Sequence, residues 1–390
     1  MHIFYFCFEK ISQKGSANTH VIEVVNNLAK TGHNITLFLP RFDRKMINFY
    51  RDRIDYVYIP VYKAGLLTWI IYDIYSIIFL LLYSVRHRPD IIYFRETQSW
   101  VPLFFSKIIH RKLLIEVNGW ILDELKMINY PAWKLELMRT TQRFNLRHAS
   151  GIVAVSSGLK QIIHKTYTIN PNKIAIIPNG TNPVIFKPLD TIQCREKIHL
   201  TPELNYIGFI GSCYPYHGIE YLIQAAPLVL KEFPDVRFII AGDGSARKSW
   251  QSLTAELDLT DKFIFPGMIP TAEAPIWINA FSIGVAPWHK KYMDDIGFSP
   301  IKLFDYMACS KPVVVSRIKG VTEIVEKNQC GFAIDTENPE IFAEHLIILL
   351  HDQDLPESMG KRGREGILHD HTWQITTQKI LHFIDRIQDV

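Results

Sequence analysis

Short apolar runs, separated by longer stretches with helical spacing, recur along this chain from one end to the other. The first, Ile3-Phe4-Tyr5-Phe6-Cys7-Phe8, does not alternate with polar residues, which marks a strand buried on both faces of a parallel sheet. Runs at 35–39, 54–59, 90–94, 113–117, 152–155 and 173–177 read the same way, with helical stretches between them; the first helix covers 20–30 and is closed by Gly32. Residues 178–188, rich in Pro, Asn and Gly, interrupt the pattern. A second series then begins, with strands at 206–210, 236–241, 263–265, 283–286 and 313–315 between helices at 219–232, 246–258 and 272–280. The tail from residue 339 reads as helical throughout.

This alternation predicts an α/β protein of two doubly wound domains, residues 1–188 and 189–371, with 372–390 a helix crossing back to the first. Ligands of such sheets bind beyond the carboxyl ends of the strands. In the second domain the loops 211–218, 242–245 and 287–299 meet that condition, and the last leads into a helix. Ser299 reads as its N-cap and Pro300 as its first helical residue, with Leu303, Phe304, Met307 and Ala308 facing the core and Lys302 and Asp305 on another face. A helix start presents free N–H groups and positive dipole to an anion, Lys302 adds a full charge, and the Asp305 carboxylate suits the paired hydroxyls of a ribose or sugar. Together these residues describe a nucleoside diphosphate site. On their own they also fit an ordinary surface helix with an exposed Lys and Asp.

Composition narrows the class. With 390 residues, 48% hydrophobic and 21% charged, the chain is a folded one with material for two cores. A formal charge of +4 does not argue for nucleic acid but allows attraction to anionic lipid or phosphorylated ligands. The five cysteines lack Cys-x-x-Cys spacing, so reduced thiols and no metal or other cofactor are expected. No secretory signal pattern precedes the first strand, which places the protein in the cytoplasm. Residues 66–85 are apolar over a length sufficient to span a bilayer, yet they contain Asp73 and run into Arg86-His87-Arg88. A membrane span, a buried core helix and a helix dipped into the inner face of the membrane all fit that stretch. Neither a phosphate-loop motif nor a complete dinucleotide fingerprint is present.

Several segments resemble the retaining glycosyltransferases of family GT4, the group 1 enzymes of GT-B fold, in which two Rossmann-like domains face each other across a cleft. Gly15-Ser16-Ala17-Asn18-Thr19-His20 is similar to that family's Gly-Gly-x-x-x-His loop, with Ser16 in place of the second glycine. Ala154-Val155-Ser156-Ser157-Gly158, Ile177-Pro178-Asn179-Gly180, Ala241-Gly242-Asp243-Gly244 and Met307-Ala308-Cys309-Ser310-Lys311-Pro312 also match. Asp305 stands at the second glutamate of the family's Glu-x7-Glu motif and Gly297 at the first, while Ser299-Pro300-Ile301-Lys302 resembles a branch with Ser-Pro-x-Lys at the helix start.

The resemblance implies transfer of a sugar from a nucleoside diphosphate sugar to an acceptor hydroxyl with retention, in polysaccharide or glycolipid assembly. It implies donor contacts from Gly15, Ser16, Ser212, His217, Gly242, Gly244, Ser299, Ile301 and Lys302, with Asp305 on the ribose. Ser212 and His217 stand where the family has Arg and Lys. His20 falls on the acceptor side, and Lys302, Asn118 and Glu116 are the catalytic candidates, Asn118 replacing a family histidine. The acceptor is then a saccharide or lipid-linked molecule, with the membrane surface as a further partner. A nucleotide-sugar-binding subunit without activity is the alternative, encouraged by the missing charges.

Overall fold

Strands β1 (His2–Phe6), β2 (Asn34–Arg41), β3 (Ile54–Pro60), β4 (Ile91–Arg95), β5 (Lys112–Val117), β6 (Gly151–Ala154) and β7 (Ile174–Ile176) form one parallel sheet in the order β3-β2-β1-β4-β5-β6-β7. The computed structural model describes residues 1–8, 19–41, 52–62, 67–95, 99–122, 130–293 and 299–388. They fall into two units, the first running to Pro178 and resuming at Trp373, the second covering Asn179–Thr372. In the first sheet Phe4 stands opposite Thr36 on one side and Ile92 on the other, so the strand order reverses at β1 and β4. Helices α1 (Thr19–Lys30), α2 (Thr68–Arg86), α3 (Val101–Ile108), α4 (Ala132–His148) and α5 (Ser157–Tyr167) connect the strands.

The second unit carries β8 (Tyr206–Ile210), β9 (Arg237–Ala241), β10 (Phe263–Gly267), β11 (Ile283–Ala286), β12 (Val313–Ser316) and β13 (Gly331–Ile334), ordered β10-β9-β8-β11-β12-β13 and all parallel. The pleat divides its core in two. Phe238 and Ile240 join Ile207 and Phe209 on one face, and Ile239 and Ala241 join Tyr206 on the other. Each large side chain so buried is worth about 1.5–3 kcal/mol. β13 is absent from the sequence reading because Gly331-Phe332-Ala333-Ile334 is too short a run to stand out; pairing with β12 makes it a strand. The helices are α6 (Thr191–Lys197), α7 (Ile219–Glu232), α8 (Arg247–Glu256), α9 (Ala274–Ala280), α10 (Ile301–Ala308), α11 (Val321–Asn328), α12 (Pro339–His351) and α13 (Asp354–Asp370). A last helix, α14 (Trp373–Gln388), packs on α1 and β6 of the first unit. The helical tail consists of three helices, broken at Asp352 and again at His371.

Three expectations need correction. The units part between Pro178 and Asn179, ahead of the expected boundary at 188, because 179–188 is tied into the second unit. Asn179 N–H donates to Ser299 Oγ at 2.8 Å, Thr181 N–H donates to the His371 carbonyl at 2.9 Å, and Phe186 lies in the same core as Phe304. The helix at 301 begins one residue later than read: Pro300 is its N-cap residue, and Ser299 does not cap it because its hydroxyl is taken by Asn179. Helix α2 is not a buried core helix. It packs on β3 and α3 through Tyr72, Ser76 and Leu80, while most of its apolar residues remain accessible.

Candidate functional site

In the second unit the sheet reverses between β8 and β11, the place where open α/β sheets bind ligands. The loop after β8 turns through Pro215–His217 into Gly218, whose φ of +62° suits glycine. A Cβ there would stand 2.0 Å from the Pro287 carbonyl, so this glycine lets the loops after β8 and β11 touch. His289 N–H donates to the Tyr216 carbonyl at 3.1 Å and Ser316 Oγ donates to the Trp288 carbonyl at 2.7 Å, fixing the second loop. Gly242 and Gly244, expected as donor contacts, are required for another reason. A Cβ on Gly242 would lie 1.7 Å from the Gly211 carbonyl oxygen, and one on Gly244 would lie 2.4 Å from that of Cys213.

Between these loops α10 begins. Its first helical bond runs from Phe304 N–H to the Pro300 carbonyl, so the amides of Ile301, Lys302 and Leu303 precede the ladder. The Lys302 side chain folds over this end. Its Nζ lies 3.2 Å from His217 Nδ1, 4.1 Å from the centre of the Phe209 ring and 5.8 Å from that of Trp288. His217 Nε2 is 3.3 Å from Ser212 Oγ, which is consistent with an imidazole that accepts from Lys302 and donates to the serine. Burial, and then the Lys302 charge, hold His217 well below its usual pKa. Burial likewise pushes the Lys302 ammonium well down, with the Cys213 thiol opposing it among the described residues.

Two other buried cations of this unit show what structural satisfaction looks like. Lys311 donates to the Asn279 carbonyl at 2.7 Å and to Thr191 Oγ1 at 3.1 Å. Arg195 donates to the carbonyls of Ala280 and Pro202 and to Ser282 Oγ at 2.7–3.0 Å. Lys302 has three donors, a ring nitrogen and two aromatic faces, and no carboxylate of the described residues is paired with it. A buried ammonium left in this state costs stability, and an anion at the helix start relieves it. Asp305, one turn along α10, accepts from Thr181 Oγ1 at 2.5 Å. That partner sits in the segment read only as a boundary. Phe209 and Trp288 were also missed, since apolar residues at strand ends give no signal of their own.

In the first unit β5 ends in a polar cluster. Glu116 Oε1 lies 2.6 Å from His20 Nε2 and accepts from Asn118 Nδ2, while Oε2 accepts from Tyr93 Oη. Both Glu116 and His20 are buried. Burial alone would raise the Glu116 pKa, but the charge and hydrogen bond of His20, with Arg95 and Tyr93, hold it down at about 2. Three of the roughly four positions at which a carboxylate accepts are filled. Glu116 is therefore a buried anchor for His20 and Asn118, in contrast to the expected catalytic group in contact with substrate. The amide of Asn118 is oriented by its donation to Glu116, which leaves its buried Oδ1 with no partner among the described residues. Gly15, Ser16 and Gly297 lie outside the described residues. Among the described residues no three His, Cys, Asp or Glu side chains gather as a metal site.

Two parallel-sheet Rossmann-like units are the architecture of the GT-B glycosyltransferases. Residues 190–366 match the family described as Glycosyl transferases group 1, and residues 17–184 the one described as Glycosyltransferase Family 4. Together the two matches take up most of the chain, and both are families of glycosyltransferases. The chain is 24% identical over 359 residues to the capsular polysaccharide biosynthesis glycosyltransferase CapM of Staphylococcus aureus, covering 89% of each. Its fold is similar to that of sucrose-phosphate synthase from Thermosynechococcus elongatus, with a TM-score of 0.78 at 16% identity over 100% of this chain and 99% of that one. It is also similar to Anabaena Alr3699/HepE, solved in complex with UDP-glucose, with a TM-score of 0.75 at 17% identity over 99% and 100% of the two chains.

Proposed function

We propose that this chain transfers a sugar from a nucleoside diphosphate sugar to an acceptor hydroxyl with retention at the anomeric carbon, in the cytoplasm, during assembly of a surface polysaccharide or glycolipid. The observation that carries the donor half is the Lys302 ammonium, part-buried at a helix start with no carboxylate of the described residues paired with it. The diphosphate supplies the missing anion, taking the amides of Ile301 and Lys302 together with the ammonium. Asp305 accepts from the ribose hydroxyls, and Ser212 and His217 complete the polar wall. No metal ion is needed in this scheme.

In the reaction the bond from the anomeric carbon to the diphosphate breaks as a bond to the acceptor oxygen forms on the same face, and the acceptor proton passes to the leaving phosphate. The charge that develops on the diphosphate is met by Lys302 and the helix start, the principal source of rate. In the first unit Asn118 Oδ1 accepts from a sugar hydroxyl, and Glu116 and His20 act as positioning residues. UDP is the nucleotide to try first, because the Alr3699/HepE relative was solved with UDP-glucose. The acceptor is a saccharide or a lipid-linked sugar, by analogy with the capsular enzyme.

Calorimetric titration with UDP, GDP and ADP, repeated on Lys302→Ala and Asp305→Ala, tests the reading. One nucleotide binds the parent chain and each substitution weakens it. If none binds at millimolar concentration, the donor site as described is wrong. The filled Glu116 carboxylate favours a second reading, a nucleotide-sugar-binding subunit, for which that binding persists with no release of nucleotide when acceptor extracts are added.

A further inference from the structure

One face of the first unit has no partner in the fold. Helix α2 has 19 residues with a mean hydropathy of 1.7, yet only 17% of its apolar window is buried. Ile70, Ile74, Ile78 and Leu82 recur every fourth residue and Val85 follows, forming a single ridge of aliphatic side chains that are 46–85% exposed. On the neighbouring α3, Phe104 and Ile108 are also more than half exposed and one turn apart. Natural monomers rarely leave such a stripe open without a use for it.

The charges around the ridge say what covers it. Asp73, the one acidic residue of α2, is turned away, accepting from Ser99 Oγ at 2.7 Å, and its burial raises its pKa. Exposed basic residues gather at the ends of the two helices, Arg86 and Arg88 at α2 and Lys107 and Arg111 at α3, while the exposed Asp90 accepts from the His2 amide. Trp69, with its ring 4.6 Å from Phe8, is half exposed at the other end of α2. An aliphatic ridge with an aromatic residue at its start and cations at its end fits the headgroup boundary of an anionic bilayer. A second copy of this chain meeting it through the same face would bring like charges to those arginines and lysines. A span is ruled out by packing, since Tyr72, Ser76 and Leu80 are buried against the unit and inserting the whole helix would strip them from it.

We infer that the ridge Ile70, Ile74, Ile78, Leu82 and Val85 seats the first unit on an anionic phospholipid surface, with Arg86, Arg88, Lys107 and Arg111 on the headgroups. The inference stands independently of the donor site. It is tested by flotation of the full chain with phosphatidylcholine vesicles, with and without about one third phosphatidylglycerol. The parent chain floats with the anionic vesicles and roughly tenfold less with neutral ones. Ile74→Glu/Ile78→Glu stays at the bottom of both gradients while binding nucleotide like the parent, and Arg86→Glu/Arg88→Glu loses the preference for anionic vesicles. A parent chain that floats with neither overturns the inference. So does a parent that sediments as a dimer which the double glutamate variant makes monomeric, because the occupant is then a second copy.

Discussion

The ammonium of Lys302 lies 3.2 Å from Nδ1 of His217, a ring kept neutral by burial and by that same cation. A neutral acceptor and an aromatic face offset only part of what the ammonium loses on leaving water. An anion at the proposed donor site would offset the rest of that loss.

Replacing that lysine separates stability from function. Lys302→Met keeps the volume and removes the buried charge, so the chain gains about 1 kcal/mol or more and melts a few degrees higher. Its affinity for the nucleoside diphosphate falls at least about tenfold. Thermal melts with and without nucleotide check both halves: the parent is shifted upward by ligand and the variant is not.

Binding is coupled to a proton. In the free chain the Lys302 pKa lies well below 10.5 because of burial, and a diphosphate beside it raises that value again. The complex then holds more protons than the free chain, so affinity declines as pH rises through the window between the two values. Titrations at a series of pH values above that of the nucleotide's own phosphate, near 6, in buffers of different ionisation enthalpy show net proton uptake within that window. Uptake disappears in Lys302→Met.

The cluster at the end of β5 governs behaviour in acid. Glu116 is held at about 2, below the unfolded value of 4.5, so it contributes stability that is fully present above pH 4.5 and lost as pH falls toward 2. In urea unfolding the parent exceeds Glu116→Gln in stability near neutrality, and the gap narrows at pH 3. His20→Ala, which leaves the buried carboxylate without its ion-pair partner, costs about 3–5 kcal/mol.

Two glycines are predicted to respond differently to alanine. Gly32 has φ +92° but nothing within 4 Å of a Cβ, so Gly32→Ala costs only about 1 kcal/mol from backbone strain. Gly242→Ala would drive its methyl into the Gly211 carbonyl and separate the loops after β8 and β9, at a cost above about 4 kcal/mol. Urea midpoints and soluble yield compare the pair.

The sequence by itself determined the strand-helix alternation, the division into two α/β domains and the rim segments that hold Ser212, His217 and Lys302, because period and chain punctuation are local properties. It marked Lys302 by its place at a helix start. It left the apolar stretch around Asp73 undecided, since length and hydropathy are the same for a core helix, a span and an interfacial helix. Tertiary structure removed the core-helix reading by turning Asp73 toward Ser99 and leaving Ile74 and Ile78 outside. It also decided that Ser299 serves Asn179 and not its own helix, that Thr181 occupies Asp305, and that Glu116 is consumed by His20, Tyr93 and Asn118. All of those pairings except that of Glu116 with Asn118 join residues well separated in the chain. Which donor finds which acceptor is settled only when the packed strands bring them within hydrogen-bond reach.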